Sequence, residues 1–106
     1  MFVLKLPSVL SFEWDKGNEQ KNWLKHKVTG EEAEEAFDDV NRMLFEDIKH
    51  STSQEKRYIL FGKTQNIKKL VIIFTMRGKK VRIISARPIN RKEAIIYEKA
   101  INTTKI

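Results

Sequence analysis

Arg57, Arg77, Arg82 and Arg87 lie within or at the ends of three apolar stretches, "KRYILFG" (56–62), "LVIIFTM" (70–76) and "VRIISAR" (81–87), and Glu55 stands two residues before the first arginine. A guanidinium grips phosphate oxygens bidentately and does not deprotonate in proteins, so these groups stabilise negative charge but cannot act as bases. Proton transfer must come from another side chain. Glu55 is one candidate, as a general base on a cationic surface or as a counter-ion that fixes the arginines. His26, in "NWLKHKV" beside Lys25, is a second, because an imidazole moves protons near neutral pH. A histidine at a helix C-terminus also serves as a plain cap. His50, in the polar run "KHSTSQ" (49–54), reads as a solvated side chain. Taken singly, an arginine at a strand end is most often a surface side chain or half of a salt bridge, and it is the cluster that asks for more.

As a set, these residues suit a reaction that needs no cofactor. RNA supplies its own nucleophile, the 2′-hydroxyl, so a protein that cleaves it has only to move protons and stabilise a phosphorane-like charge. Other chemistries lack their signatures. There is no P-loop, dinucleotide fingerprint or nucleophile elbow. The acidic run at 31–39 lacks the loop spacing of a calcium site, and the two histidines are not at ligand spacing. Neither a metal nor a cofactor is expected.

Charge distribution sharpens this. The net charge is +7 over 106 residues, but residues 1–54 hold 7 Lys/Arg against 11 Asp/Glu, whereas 55–106 hold 14 against 3. Such a polycation attracts a phosphate backbone, an anionic membrane surface or an acidic protein partner, and it also solubilises. With no cysteine there is neither a disulfide framework nor a thiolate zinc site, which fits a reducing cytosol. The opening "MFVLKLPSVL" is broken by Lys5 and Pro7, is too short to span a bilayer and lacks a basic n-region and cleavage site. A cytoplasmic protein without membrane association is expected, as one domain over 1–106.

The elements that position these residues follow from periodicity. "SFEWD" (11–15) alternates as a short strand, and Asp15 can cap a helix over about 16–27 anchored by Trp23 and Leu24. Thr29 and Glu32 form a capping box for a second helix, with Ala33, Ala36, Phe37 and Val40 on one apolar stripe and an acidic face opposite. "RMLFEDI" (42–48) is a weak strand. The three apolar stretches above are β-rich, and their short links, one a hairpin turn with Gly78, require antiparallel pairing. Asn90 and Glu93 cap a third helix, with Ile89 and Ala94 at staple positions. The expected class is α+β: an antiparallel sheet with two N-terminal helices and one C-terminal helix, its strand 70–76 covered on both faces. Strict alternation places Arg87 on the face of Val81 and Ile83, turns Arg82 to the other, and leaves the register between Arg57 and Arg87 open.

"FEWD" (12–15), "NWLKHKV" (22–28), "EEA" (31–33 or 34–36), "EKRYILFG" (55–62) and "VRIISARPINRKEAIIYE" (81–98) together resemble the BrnT family of ribonuclease toxins from bacterial type II toxin–antitoxin systems, over about residues 11–100. The resemblance implies a RelE-like α+β fold, an RNase that inhibits translation, and a BrnA-type antitoxin that binds the toxin and, as a complex, operator DNA. Matched by motif, it implies functional roles for Trp14, Lys25, His26, Glu55, Arg57, Arg77 and Arg87. On this basis Glu55 or His26 takes the 2′-hydroxyl proton, Arg57 and Arg77 stabilise the phosphate charge, and Lys25 or His26 assists the leaving oxygen. Arg87 belongs in the active cleft, while Trp14, Lys79, Lys80 and Arg82 hold RNA.

The chain departs from the family pattern at Lys27, where glycine is usual after "KH", at Lys16, where proline is usual after "FEWD", and in "TGEEA" for "SFEEA". Residues 1–10 precede the family's usual start and are expected to form an extra strand or tail. Two other readings stay open: a basic nucleic-acid-binding module without catalysis, and a subunit whose cations dock an acidic protein.

Overall fold

The computed structural model of the chain describes residues 11–104, with side chains to Ile101; the segment 1–10 lies outside it. The described elements run β1 (Ser11–Glu13), α1 (Lys16–His26), α2 (Gly30–Ala36), β2 (Met43–Glu46), a 3₁₀ turn (Ile48–His50), β3 (Arg57–Lys63), β4 (Lys69–Arg77), β5 (Lys80–Pro88) and α3 (Arg91–Thr104). They form an α+β arrangement with a five-stranded sheet in the order β1-β5-β4-β3-β2. β2 to β5 pair antiparallel, as their short links demand, while β1 joins the edge of β5 in parallel. That parallel pairing closes the sheet through the whole intervening chain, so no local signal announces it.

Helix starts are set by side chains that satisfy orphan N–H groups. Asp15 Oδ1 accepts from the N–H of Gly17 at 2.8 Å and of Asn18 at 3.4 Å. Thr29 and Glu32 form the expected reciprocal box. So do Asn90 and Glu93, at 2.9 Å in each direction.

Two expectations about helix faces need correction. α1 is anchored by Asn22, which is 5 % exposed, whereas Trp23 and Leu24 are 48 % and 71 % exposed. β1 pairs β5 only as far as Arg82, and beyond that point Asn22 Oδ1 accepts from the Ala86 N–H at 3.2 Å, doing the work of a missing strand. Val40 is 90 % exposed and off the apolar stripe, because α2 ends at Ala36 and the chain leaves it through i→i+3 bonds at Phe37 and Asp38. The glutamates of α2 do not form a merely solvated face. Glu32 pairs with Lys68 at 2.7 Å, Glu35 accepts from the Gln65 N–H and Glu34 from Trp14 Nε1, so two of them clasp the β3–β4 hairpin.

The core has two parts, one on each face of the sheet, and β4 at the centre contributes to both as expected. On one face Leu60, Leu70, Ile72, Phe74, Val81, Ile83 and Ala86 pack with Val28, Ala33, Ala36 and Phe37. α2 approaches β3 so closely that a Cβ on Gly62 would stand 2.3 Å from the Ala36 carbonyl oxygen. On the other face Phe61 and Val71 pack against Tyr97 of α3, with Met43, Ile59, Ile73, Ile89 and Ile101 around them. The Tyr97 hydroxyl donates to Asp39, which also accepts from the Lys63 N–H. Burial and the Asp39 bond push the phenol well above its usual pKa.

Candidate functional site

Cross-strand partners share a face, so the register places the cations. β4 carries Val71, Ile73, Thr75 and Arg77 on the α3 face, opposite Arg87, Ser85, Arg82 and Lys80 of β5. A bulge makes this possible: Ile73 faces Ser85 and Phe74 faces Ile83, so Ile84 is the extra residue and alternation changes phase there. Strict alternation therefore misplaces Arg87. It stands on the face opposite Val81 and Ile83, on the same side as Arg82. The adjacent isoleucines in "VRIISAR" straddle the bulge, Ile83 buried and Ile84 half-buried, but their types alone do not mark it.

Across β3 the register continues with Arg57 opposite Thr75. Extending β2 by one residue sets Asp47 opposite Arg57, and its N–H donates to the Arg57 carbonyl at 2.7 Å. One row thus reads Asp47, Arg57, Thr75, Arg82, Glu13, with Arg77 and Lys80 in the next row toward the hairpin. Lys79 lies in that hairpin, where Gly78 adopts φ 62° to turn the chain. Arg57 and Arg82 are half-buried, about 10 Å apart across two strand spacings. Arg77, Lys79 and Lys80 are exposed. No ion pair among the described residues holds Arg57, Arg77, Lys79 or Lys80, and Arg82 has only Asp15 at 3.5 Å. Between the two half-buried arginines, the Thr75 hydroxyl is buried without a hydrogen-bond partner among the described residues.

Arg87 differs. Opposite Val71, it lies four β4 positions from Arg57's partner, about 13 Å along the strand. Both its terminal nitrogens donate to Glu93, at 2.7 and 2.6 Å. The Arg87 bond holds the Glu93 carboxyl below its ordinary range, against the opposing effect of burial, and the same bond raises the guanidinium. Since Glu93 also caps α3, Arg87 is engaged in fastening that helix to β5.

Lys25 and His26 also fall away from the Arg57 row. Asp15, at the start of α1, reaches Arg82, while Asn22 reaches Ala86, so α1 runs alongside β5 toward Pro88. His26 lies one turn beyond Asn22. Lys27 ends the helix in the left-handed region, φ 55° and ψ 38°, its N–H bonded to the Trp23 carbonyl and its ammonium 5.3 Å from the Trp23 ring centroid. The helix therefore stops as it would with the usual glycine. Trp14 is on the opposite face of the sheet from the arginines, packed on the core and donating to Glu34 at 3.1 Å.

Glu55 remains near Arg57. Its N–H donates to the Thr52 hydroxyl at 3.0 Å and its carbonyl accepts from the Thr52 N–H at 2.8 Å, which fixes the turn into β3. The surprise is His50. Its Nδ1 lies 2.8 Å from Asp47 Oδ2, and Ser51 Oγ bonds both the Asp47 carbonyl at 2.7 Å and the Arg57 N–H at 2.9 Å. Asp47 precedes His50 by three residues, a spacing that a single turn of 3₁₀ helix converts into contact. That spacing was visible, but the short helix was not.

The family model for "Ribonuclease toxin, BrnT, of type II toxin-antitoxin system" matches residues 14–93. The chain belongs to the BrnT family. Among solved structures, it is similar to the ribonuclease toxin BrnT of Brucella abortus, with a TM-score of 0.59 and 19 % identity over 78 % of this chain and 100 % of that one. No curated protein sequence matches it significantly. The matched span in this BrnT-family chain starts at Trp14 and ends at Glu93, so it contains the arginine row, the Asp47–His50 pair and the α3 cap. Among the described residues no helix is long and apolar enough to cross a membrane, and no three His, Asp or Glu side chains gather as metal ligands.

Proposed function

We propose that this chain is a toxin that cleaves RNA at the Arg57–Arg77–Arg82 end of its sheet and thereby inhibits translation. The observation that carries the reading is the row itself: cations aligned on one face, largely without ion-pair partners among the described residues, in a chain of a ribonuclease-toxin family. Arg57 and Arg77 bind the non-bridging oxygens of the scissile phosphate, where preorganised donors stabilise the charge that develops during attack. Arg82, Lys79 and Lys80 track the neighbouring phosphates. Of the two candidate bases, Glu55 is favoured over His26, because its main chain leads directly into Arg57 while His26 lies toward the far end of β5. Trp14 and Arg87 act structurally in this reading, through Glu34 and Glu93.

The reaction requires no metal. The 2′-oxygen attacks phosphorus and displaces the 5′-oxygen, leaving a 2′,3′-cyclic phosphate and a 5′-hydroxyl. In the cell an antitoxin of the BrnA type covers the basic face, and the chain meets operator DNA only through that complex in the cytoplasm.

The purified chain is expected to cut a single-stranded RNA in excess EDTA and to leave cyclic-phosphate ends, while the same sequence with a 2′-deoxy residue at the cut site stays intact. Binding without cleavage would instead support a nucleic-acid-binding module.

A further inference from the structure

We infer that His50, held by Asp47, is the general acid that protonates the leaving 5′-oxygen. The inference rests on the ribonuclease reading and supplies the group that reading lacks. A carboxylate such as Glu55 can accept the 2′-hydroxyl proton but, once ionised, has none to give, and arginine does not release its own. The leaving oxygen therefore needs a different donor. Lys25 and His26, the donors expected from sequence, stand at the end of α1 that runs toward Pro88.

His50 has the geometry for the task. Asp47 Oδ2 takes Nδ1–H at 2.8 Å, which orients the ring and leaves Nε2 as its open nitrogen. The Asp47 side chain is 14 % exposed and the His50 side chain 58 %, so the holder is fixed in the protein while the ring reaches solvent. The pair is joined to the arginine row through the backbone: Asp47 N–H donates to the Arg57 carbonyl, and Ser51 Oγ bridges Asp47 and Arg57. A carboxylate that fixes an imidazole and leaves its other nitrogen open to solvent suits general acid catalysis.

Glu55 takes the proton from the 2′-hydroxyl as the O2′–P bond forms. The P–O5′ bond breaks, and the imidazolium passes its Nε2 proton to O5′. Glu55 and His50 then return to their starting forms by exchange with solvent. His50 is catalytic in this scheme and Asp47 is a positioning residue.

The test compares two RNA substrates, one ordinary and one with sulfur replacing the bridging 5′-oxygen, since a thiolate leaves without an acid. His50→Ala is expected to lose about 10²–10⁴-fold in kcat on ordinary RNA and to cleave the sulfur-bridged substrate at nearly the wild-type rate. Asp47→Asn should lower kcat on ordinary RNA with little change in KM, and also recover on the sulfur-bridged substrate. His50→Gln, checked for an unchanged thermal transition, separates loss of the proton from loss of fold. Equal loss on both substrates, or full activity of His50→Ala on ordinary RNA, overturns the inference while leaving the ribonuclease reading intact. An inactive wild type overturns both.

Discussion

Arg57 and Arg87 carry the same guanidinium and differ in what surrounds it. Arg57 faces a row with an orphan hydroxyl and no ion-pair partner among the described residues, whereas both arms of Arg87 are held by Glu93. Sequence alternation favoured Arg87 for the cleft because nothing in "VRIISAR" states a register, and because Glu93 lies beyond the strand. His50 was passed over for a similar reason: its partner is three residues away, in contact only once the segment turns as a 3₁₀ helix. Lys27 offers a test at this scale. A non-glycine residue in the left-handed region costs about 1–2 kcal/mol, offset here by about 0.5 kcal/mol from its contact with Trp23. Lys27→Gly is expected to raise stability by about 1 kcal/mol and the melting temperature by about 4–8 °C, measured by calorimetry.

At the scale of elements, the helix starts were legible from their caps and β3 to β5 from their apolar runs and short links, whereas β2 showed only as a weak strand and the apolar period of α1 pointed to Trp23 and Leu24, which are exposed. The parallel docking of β1 was not, since it depends on contacts between opposite ends of the chain. Nor was the short α2 with Val40 outside it, because helical spacing continues past the point where Phe37 and Asp38 tighten the turn. Two consequences are measurable. Gly62→Ala, forced against the Ala36 carbonyl, is expected to cost about 3 kcal/mol in denaturant unfolding. The Arg87–Glu93 clasp makes α3 acid-sensitive. Glu93 has a lowered pKa when folded, so its contribution is complete above the unfolded carboxyl value and is lost as pH falls through the lower folded one. The stability gap between wild type and Glu93→Gln, about 1–2 kcal/mol at pH 7, should therefore close as the pH drops below about 4 in urea titrations.

Across the whole molecule, the acidic first half and basic second half are not simply two charged surfaces. Glu32 and Glu35 are used internally, against Lys68 and the Gln65 N–H, and Glu93 is used against Arg87. Among the described residues, Arg77, Lys79 and Lys80 at the β4–β5 hairpin end have no ion-pair partner and so offer positive charge to a polyanion. RNA affinity should fall steeply with salt, and each of Lys79→Ala and Lys80→Ala should reduce the slope of log K against log [salt] by about 0.7. An unchanged slope in both variants would remove those lysines from the RNA path. The family resemblance made the toxin reading available from sequence, but the placing of Arg57 and Arg82 in one row, apart from Arg87, came from the register.

The central claim is that the Arg57 row, rather than Arg87 or the end of α1, is where RNA is cut. Single-turnover cleavage of one RNA by wild type, Arg57→Ala, Arg87→Ala and His26→Ala, each corrected for folded fraction, tests it most directly. The account predicts a loss of about 10²-fold or more for Arg57→Ala, with Arg87→Ala and His26→Ala near wild type per folded molecule. Full activity of Arg57→Ala, alongside loss in His26→Ala, would contradict it.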